Sequence, residues 1–175
     1  MAESFTNALR RSVGSVVTNT STTIGVSTNI ITGVTTTGIS VGDLVYQSYF
    51  NGGTKVSAIG SGQVTVDSTS SNTGIVTSQT LRTLGITTVY TAAEKSVLIG
   101  GTLANNSNGQ VGAFVQVSSG STSYNLLYNV PVPAGSSVVI SDAGKTMLNT
   151  GDEIRVASDV ANSLDVTLSI LRGVS

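Results

Sequence analysis

The stretch LDVTLSI, residues 164–170, alternates apolar and polar side chains at every position. In an extended chain, a period of two places the apolar side chains on one face and the polar ones on the other. The apolar set is Leu164, Val166, Leu168 and Ile170. Residues 111–117 (VGAFVQV) repeat the pattern, and Ile154 with Val156 continues it. Residues 85–175 therefore predict an antiparallel β-sandwich of seven or eight strands, without a helix of ordinary length.

Upstream, residues 13–84 are rich in Thr, Ser, Val and Ile and are interrupted by glycines. β-Branched side chains favour strands because their χ1 angles are already restricted. The sequences NGG at 51–53 and GSG at 60–62 are typical of hairpin turns. The candidate strands cover residues 15–19, 22–28, 42–49, 54–59 and 63–69. Five short strands in this span predict a small β-barrel or roll.

The first twelve residues, 1–12, are predicted to be an N-terminal docking arm. Phe5, Leu9 and Val13 recur at intervals of four, which is typical of one helix face. A helix this short is marginal alone, so it would pack on its own protein or on a partner. We interpret Arg10 and Arg11 as side chains that meet acidic groups of a partner, beside the apolar anchors Phe5 and Leu9. The alternative is a solvated, frayed terminus.

Two short segments share one pattern, ISVGDLV at 39–45 and LNTGDEI at 148–154. In each, Gly-Asp precedes an apolar strand. Glycine permits a positive φ, and an aspartate accepts hydrogen bonds from the nearby backbone. Two β-domains that use the same turn chemistry would explain the pattern, and an internal duplication is the alternative.

The composition excludes several kinds of chemistry. The 175 residues include no His, Cys or Trp, and 8 Lys and Arg stand against 9 Asp and Glu, a formal net charge of −1. The chain therefore has no imidazole base, thiolate nucleophile or disulfide, and no ordinary zinc site or other cofactor is expected. The near-neutral charge gives no basis for binding nucleic acid. No motif marks a converging pair of carboxylates, so we predict that the chain is not an enzyme.

The sequence also bears on compartment. No segment approaches the ~18 consecutive apolar residues of a membrane helix, so no membrane partner is expected. Residues 1–15 (MAESFTNALRRSVGS) lack the apolar core of a secretory signal, which predicts synthesis and assembly in a host cytoplasm. Charged residues make up only 10% of the chain, which fits a surface that is partly hidden by neighbouring subunits.

Four segments together resemble a known family. They are VYTAAEKSVLIGGTLAN (89–105), VPVPAG (130–135), LNTGDEIRV (148–156) and LDVTLSIL (164–171). In this order they resemble β-sandwich domains of virion structural proteins of tailed bacteriophages, including cyanophages, of the capsid decoration or cement type. The family theme begins with Y-T-x-P-A-G-K, whereas residues 92–95 read AAEK here. GISVGDLV (38–45) with GTKVSAI (53–59) is similar to another phage structural module.

The resemblance implies a virion protein, located in the particle, that bridges and stabilises major capsid subunits as a decoration or cement protein. Its expected partners are the major capsid protein or other virion proteins, and a homo-oligomer is expected because such components are commonly symmetric. The alternative is a neck, collar or tail-fibre attachment protein. A second alternative is a carbohydrate- or receptor-binding β-module, with Tyr124 and Tyr128 as an aromatic platform.

Overall fold

A computed structural model describes residues 3–140 and 144–174 of the chain. Within these ranges the protein is all-β, as predicted, with three antiparallel sheets and no helix. The strands are β1 (Ser4–Val13), β2 (Ser15–Ile24), β3 (Ile30–Thr32), β4 (Leu44–Tyr46), β5 (Val56–Gly60), β6 (Gln63–Val66), β7 (Val76–Gly85), β8 (Thr87–Thr91), β9 (Ser96–Asn105), β10 (Val111–Ser119), β11 (Thr122–Val132), β12 (Ser137–Val139), β13 (Thr146–Leu148), β14 (Glu153–Ser158) and β15 (Leu164–Arg172).

The described residues divide into two compact units. The larger unit contains the residues up to Ser15 and those from Thr87 onward. One of its sheets has the strand order β1-β15-β9-β12, with β13 also paired to β9, and the other has the order β11-β10-β14-β8. Both sheets supply side chains to one apolar core. The alternating rows noted in the sequence lie in it: Leu164, Val166, Leu168 and Ile170 from β15, and Val111, Ala113, Val115 and Val117 from β10.

The smaller unit, Val16–Ile86, is built on one six-stranded sheet with the order β4-β7-β2-β3-β6-β5. No sheet formed by the described residues closes into a barrel, so the barrel predicted for residues 13–84 is not formed. Near the end strands β4 and β5, an isolated bridge joins Leu44 to Lys55, and backbone hydrogen bonds join Val45 to Thr54 and the Gly42–Asp43 turn to Val56. β4 has only three residues and meets the β5 side of the sheet in a single bridge, so these contacts do not form the continuous ladder that closure requires.

The first strand corrects the helix that the sequence spacing indicated for the docking arm. Residues Ser4–Val13 form β1, which pairs with β15 in a regular register from Ser4 to Arg10. A spacing of four fits both elements, because it is close to one helical turn and is also two periods of a strand. Pairing with β15 supplies a hydrogen-bonded ladder, whereas an isolated helix of this length is marginal. Of the other residues of the arm, Glu3 precedes β1, and Met1 and Ala2 lie outside the described residues.

Local irregularities that the sequence indicates are present. The register between β9 and β15 shifts next to Gly100. A Cβ atom on Gly101 would lie 2.7 Å from the carbonyl oxygen of Thr167, so this position needs a residue without a side chain. Pro131 lies in β11, an end strand of its sheet, where the missing N–H is tolerated.

Candidate interaction surface

An apolar row crosses the outer face of the five-stranded sheet. Phe5 of β1 lies opposite Leu171 of β15, Leu171 lies opposite Val97 of β9, and Val97 lies opposite Met147 of β13. Ile170, the neighbour of Leu171 along β15, is a core residue, so the row points away from the core. Phe5 is 78% exposed and Met147 is 50% exposed. Large apolar side chains therefore face solvent at both ends of this row.

A second row begins four residues further along β1. Leu9 lies opposite Thr167, Thr167 opposite Thr102 of β9, and Thr102 opposite Val139 of β12. Leu9 is 68% exposed, and Val139 is also exposed. We call the apolar members of the two rows the outer apolar face: Phe5, Leu9, Val97, Val139, Met147 and Leu171. Within it Val97 is buried and Leu171 is half-buried, and the other four side chains are exposed.

The structure thus brings Phe5 and Leu9, which the sequence singled out, together on one face. It adds Val139 and Met147, which the sequence did not single out. Both lie in strands of three residues, and no alternating pattern is visible over so short a stretch. Only the register with β9 shows that they share a face with Phe5.

The two predicted docking arginines stand at the end of the regular part of β1. Arg10 is exposed and, as the neighbour of Leu9 along the strand, points to the other side. Arg11 lies where the register with β15 shifts, and its side chain is 89% exposed. Its Nε lies 3.9 Å from Oδ2 of Asp165, which also accepts a hydrogen bond from the Ser12 N–H at Oδ1. Such an exposed, long ion pair contributes little, so the guanidinium remains available to a partner.

The two candidate tyrosines lie on opposite faces of the four-stranded sheet. Tyr124 is opposite Val117, a core residue, so it lies on the core side, at an exposed end. Tyr128 packs edge-on against Phe114, with ring centroids 5.2 Å apart. Phe114 alternates with the core residue Val115 and therefore lies on the outer side. The pair does not form one aromatic platform.

The outer side of the four-stranded sheet instead carries polar groups beside Tyr128. Gln116 lies between Asn125 and Arg155 in the register, and its Nε2 donates to Oδ1 of Asn125 at 2.8 Å. Arg155 donates from Nε to Oε2 of Glu153 at 2.6 Å. Gln116 is buried, and its Oε1 accepts no hydrogen bond. A buried carbonyl oxygen without a donor costs free energy, and a ligand donor could satisfy it.

The repeated Gly-Asp sequences form the same turn in both units. The N–H of Ser40 donates to Oδ2 of Asp43 at 2.8 Å, and the N–H of Asn149 donates to Oδ2 of Asp152 at 2.8 Å. Both aspartates are buried. The glycines before them, Gly42 and Gly151, have φ angles of 96° and 92°, as the sequence indicated.

Backbone hydrogen bonds extend the likeness between the two turns. Gly42 donates to the carbonyl of Val56, whose N–H donates to the carbonyl of Asp43, at 2.8 and 2.9 Å. In the larger unit, Gly151 donates to the carbonyl of Ala92, whose N–H donates to the carbonyl of Asp152, at 2.7 and 2.8 Å. Both carboxylates therefore hold backbone in place, which is the turn role that the sequence indicated for them.

Burial distinguishes the carboxylate of Asp43 electrostatically. Desolvation raises the pKa of Asp43 above its ordinary value of 3.8, and backbone hydrogen bonds from Ser40 and Ile86 partly oppose that rise.

Among residues 3–140 and 144–174, no three acidic side chains are grouped as metal ligands. The same part of the chain has no helix that is long and apolar enough to cross a membrane.

In comparisons with known proteins, no family model, no curated protein and no solved structure matches the chain.

Proposed function

We propose that this chain is a structural protein of a tailed-bacteriophage virion, most directly a capsid decoration or cement protein that bridges and stabilises major capsid subunits. In this proposal, the two sheets of the larger unit pack as a β-sandwich and the smaller unit forms a roll. The observation that carries the proposal is the outer apolar face, where Phe5, Leu9, Val139 and Met147 are exposed on a single sheet. Its function is mechanical and needs no catalytic group.

The outer apolar face is suited to a large surface that is present in many copies. Full burial of a Phe, Leu or Met side chain contributes roughly 1.5–3 kcal/mol. Association costs about 4–15 kcal/mol in lost translational and rotational freedom, so one copy on this face alone would bind weakly. A repeated capsid lattice and association between copies would raise the effective affinity. Binding to the assembled shell would in turn stabilise it by mass action.

A neck, collar or tail-fibre attachment protein would use the same kind of surface at a place with few copies. The two roles differ in the number of copies per particle. Quantitative mass spectrometry of purified virions, with the major capsid protein as reference, measures this number. Hundreds of copies per particle are expected for the decoration role, about a dozen would assign the chain to the neck or tail, and absence from the particle would overturn the proposal.

Two substitutions test whether the outer apolar face binds the shell. Met147→Lys combined with Val139→Lys places charges on exposed positions of this face and is expected to reduce occupancy of purified capsids at least tenfold. Val41→Lys is the matched control, because Val41 is an exposed apolar residue of the smaller unit. Equal capsid occupancy for the double variant and the control would contradict the assignment of the face.

The second candidate function is carbohydrate or receptor binding, and it is favoured by the polar outer side of the four-stranded sheet. Gln116 has a buried oxygen without a donor, and the exposed Tyr128 packs against Phe114, which lies on the same side of β10 as Gln116. Tyr128→Ala is expected to abolish binding to a glycan array. Tyr124→Ala, on the opposite side of the sheet, is the control. Unchanged glycan binding by Tyr128→Ala would remove this candidate.

A further inference from the structure

The first strand leaves one edge of its sheet open. Among the described residues, β1 is the end strand of the five-stranded sheet and β15 is the strand paired with it. The register with β15 is regular from Ser4 to Arg10 and shifts before Val13. An open edge of this kind is a template for another extended strand, and proteins usually protect it.

We propose that a second copy of this chain pairs with β1 through the β1 strand of its own larger unit, antiparallel and with a two-fold axis at Asn7. The two five-stranded sheets would then form one continuous sheet across an isologous interface. Asn7 is the midpoint of the regular stretch from Ser4 to Arg10, so this register pairs the whole of that stretch. The inference deepens the proposed function and rests on it only for the expected homo-oligomer.

The side chains of β1 are complementary to themselves in this register. Phe5 lies opposite Leu9 of the second copy, so two apolar pairs form, one on each side of the axis. Beyond them, Glu3 lies opposite Arg11 of the second copy, which gives two pairs of opposite charge. Cross-strand apolar and opposite-charge pairs both stabilise a sheet. Glu3, Phe5, Leu9 and Arg11 are all exposed in the single chain and therefore accessible.

Neighbouring registers lack this match. The two-fold axis is perpendicular to the sheet, so residues that oppose each other across it must lie on the same face, and the register can shift only by two residues at a time. A shift of two in one direction places Leu9 of one copy opposite Glu3 of the other. A shift of two in the opposite direction places Phe5 opposite Arg11. The proposed register also keeps the Arg10 side chains of the two copies six strand positions, or about 20 Å, apart.

A cysteine at the axis tests the pairing directly, because the natural chain has no cysteine. In Asn7→Cys the two new thiols would face each other, with Cβ atoms about 4.5–5.5 Å apart. A short bifunctional thiol reagent is therefore expected to convert most of the full-length protein into a covalent dimer. Leu9→Cys is the control, since its two thiols would lie four positions, or about 13 Å, apart and should not be joined.

The outcome identifies the register as well as the pairing. Cross-linking of Asn7→Cys without cross-linking of Leu9→Cys supports the proposal. Cross-linking of Thr6→Cys or Ala8→Cys in preference to Asn7→Cys would overturn the register, and an absence of cross-linking in every variant would overturn the pairing. The isolated protein is used throughout, so failure here leaves the capsid-binding proposal intact.

A charge exchange gives an independent readout by analytical ultracentrifugation. Glu3→Arg and Arg11→Glu are each expected to weaken dimerisation about tenfold, because each creates two like-charge contacts. The double variant restores opposite charges and is expected to recover the affinity of the unsubstituted chain. Recovery in the double variant supports the Glu3–Arg11 contact, and additive weakening would overturn it.

Discussion

At the scale of single residues, the carboxylate of Asp43 is shaped by two opposing effects, a hydrogen bond that favours its charge and burial that disfavours it. Its carboxylate accepts the Ser40 N–H and fixes the turn before β4, yet burial makes its negative charge unfavourable. Asp152 makes the equivalent bond in the larger unit, to Asn149. The sequence predicts both turns because the chemistry is local: the glycine, the aspartate and the bonded backbone lie within a few residues of one another.

The raised pKa of Asp43 predicts a pH dependence of stability. The folded protein binds this proton more tightly than the unfolded chain, so the free energy of unfolding falls as the pH rises from 3.8 through the raised pKa, and is flat above it. Asp43→Asn keeps an oxygen acceptor for Ser40 and carries no charge, so it is expected to remove this fall. Urea unfolding between about pH 3 and pH 7 measures it.

Asp67→Asn is the control for loss of a negative charge. Asp67 is exposed and also accepts a backbone hydrogen bond, from the N–H of Lys55 at 2.9 Å. If Asp43→Asn loses stability with rising pH over this range just as the unsubstituted protein does, burial of Asp43 is not the cause of the dependence.

At the scale of elements, β1 shows where prediction from the sequence ends. Phe5 and Leu9 share a face, because a spacing of four gives a common face in a helix and in a strand. Val13, the third residue of that spacing, is instead buried in the core, because the register of β1 shifts between Arg10 and Val13. The choice between the two elements depends on β15, which lies about 150 residues away in the chain. The outer apolar face depends in the same way on registers among strands that are distant in sequence, and no local pattern encodes them.

The strand role of β1 predicts different consequences for deletion and for substitution. Removal of residues 1–12 takes away the ladder with β15 and uncovers core side chains, so it is expected to destabilise the larger unit by several kcal/mol. Phe5→Lys changes a side chain that is 78% exposed and is expected to alter stability by no more than about 0.5 kcal/mol.

Thermal unfolding of the two variants checks this difference. A deletion variant as stable as the full chain would show that the β1–β15 ladder contributes nothing. The comparison also shows how capsid binding should be tested. A deletion variant could lose capsid binding either because the larger unit unfolds or because a contact is removed. Substitutions on the exposed face of β1 separate the two effects.

At the scale of the whole molecule, the larger unit is assembled from two separate parts of the chain. Residues up to Ser15 and from Thr87 onward form it, and the smaller unit is inserted between them. Each unit has its own core cluster, and the two clusters share no residue. Each unit therefore has the apolar interior that independent folding requires.

This organisation predicts that the larger unit folds without the insertion. Val13 and Thr87 line the same surface depression, so a Gly/Ser linker of about six to eight residues in place of residues 16–86 can join the two parts. The shortened chain is expected to show β-type circular dichroism and a cooperative thermal transition. A disordered chain would contradict the independence of the unit, and residues 16–86 expressed alone provide the complementary measurement.

The pairing of β1 with β15 also has a consequence for synthesis. The ribosome makes β15 about 150 residues after β1, and at ~5–20 residues per second this takes roughly 8–30 s. Throughout that interval the strand that carries Phe5 and Leu9 lacks its neighbour and is a target for chaperones. Incomplete chains never acquire β15, so they cannot present to other copies a β1 that is already paired in its own sheet.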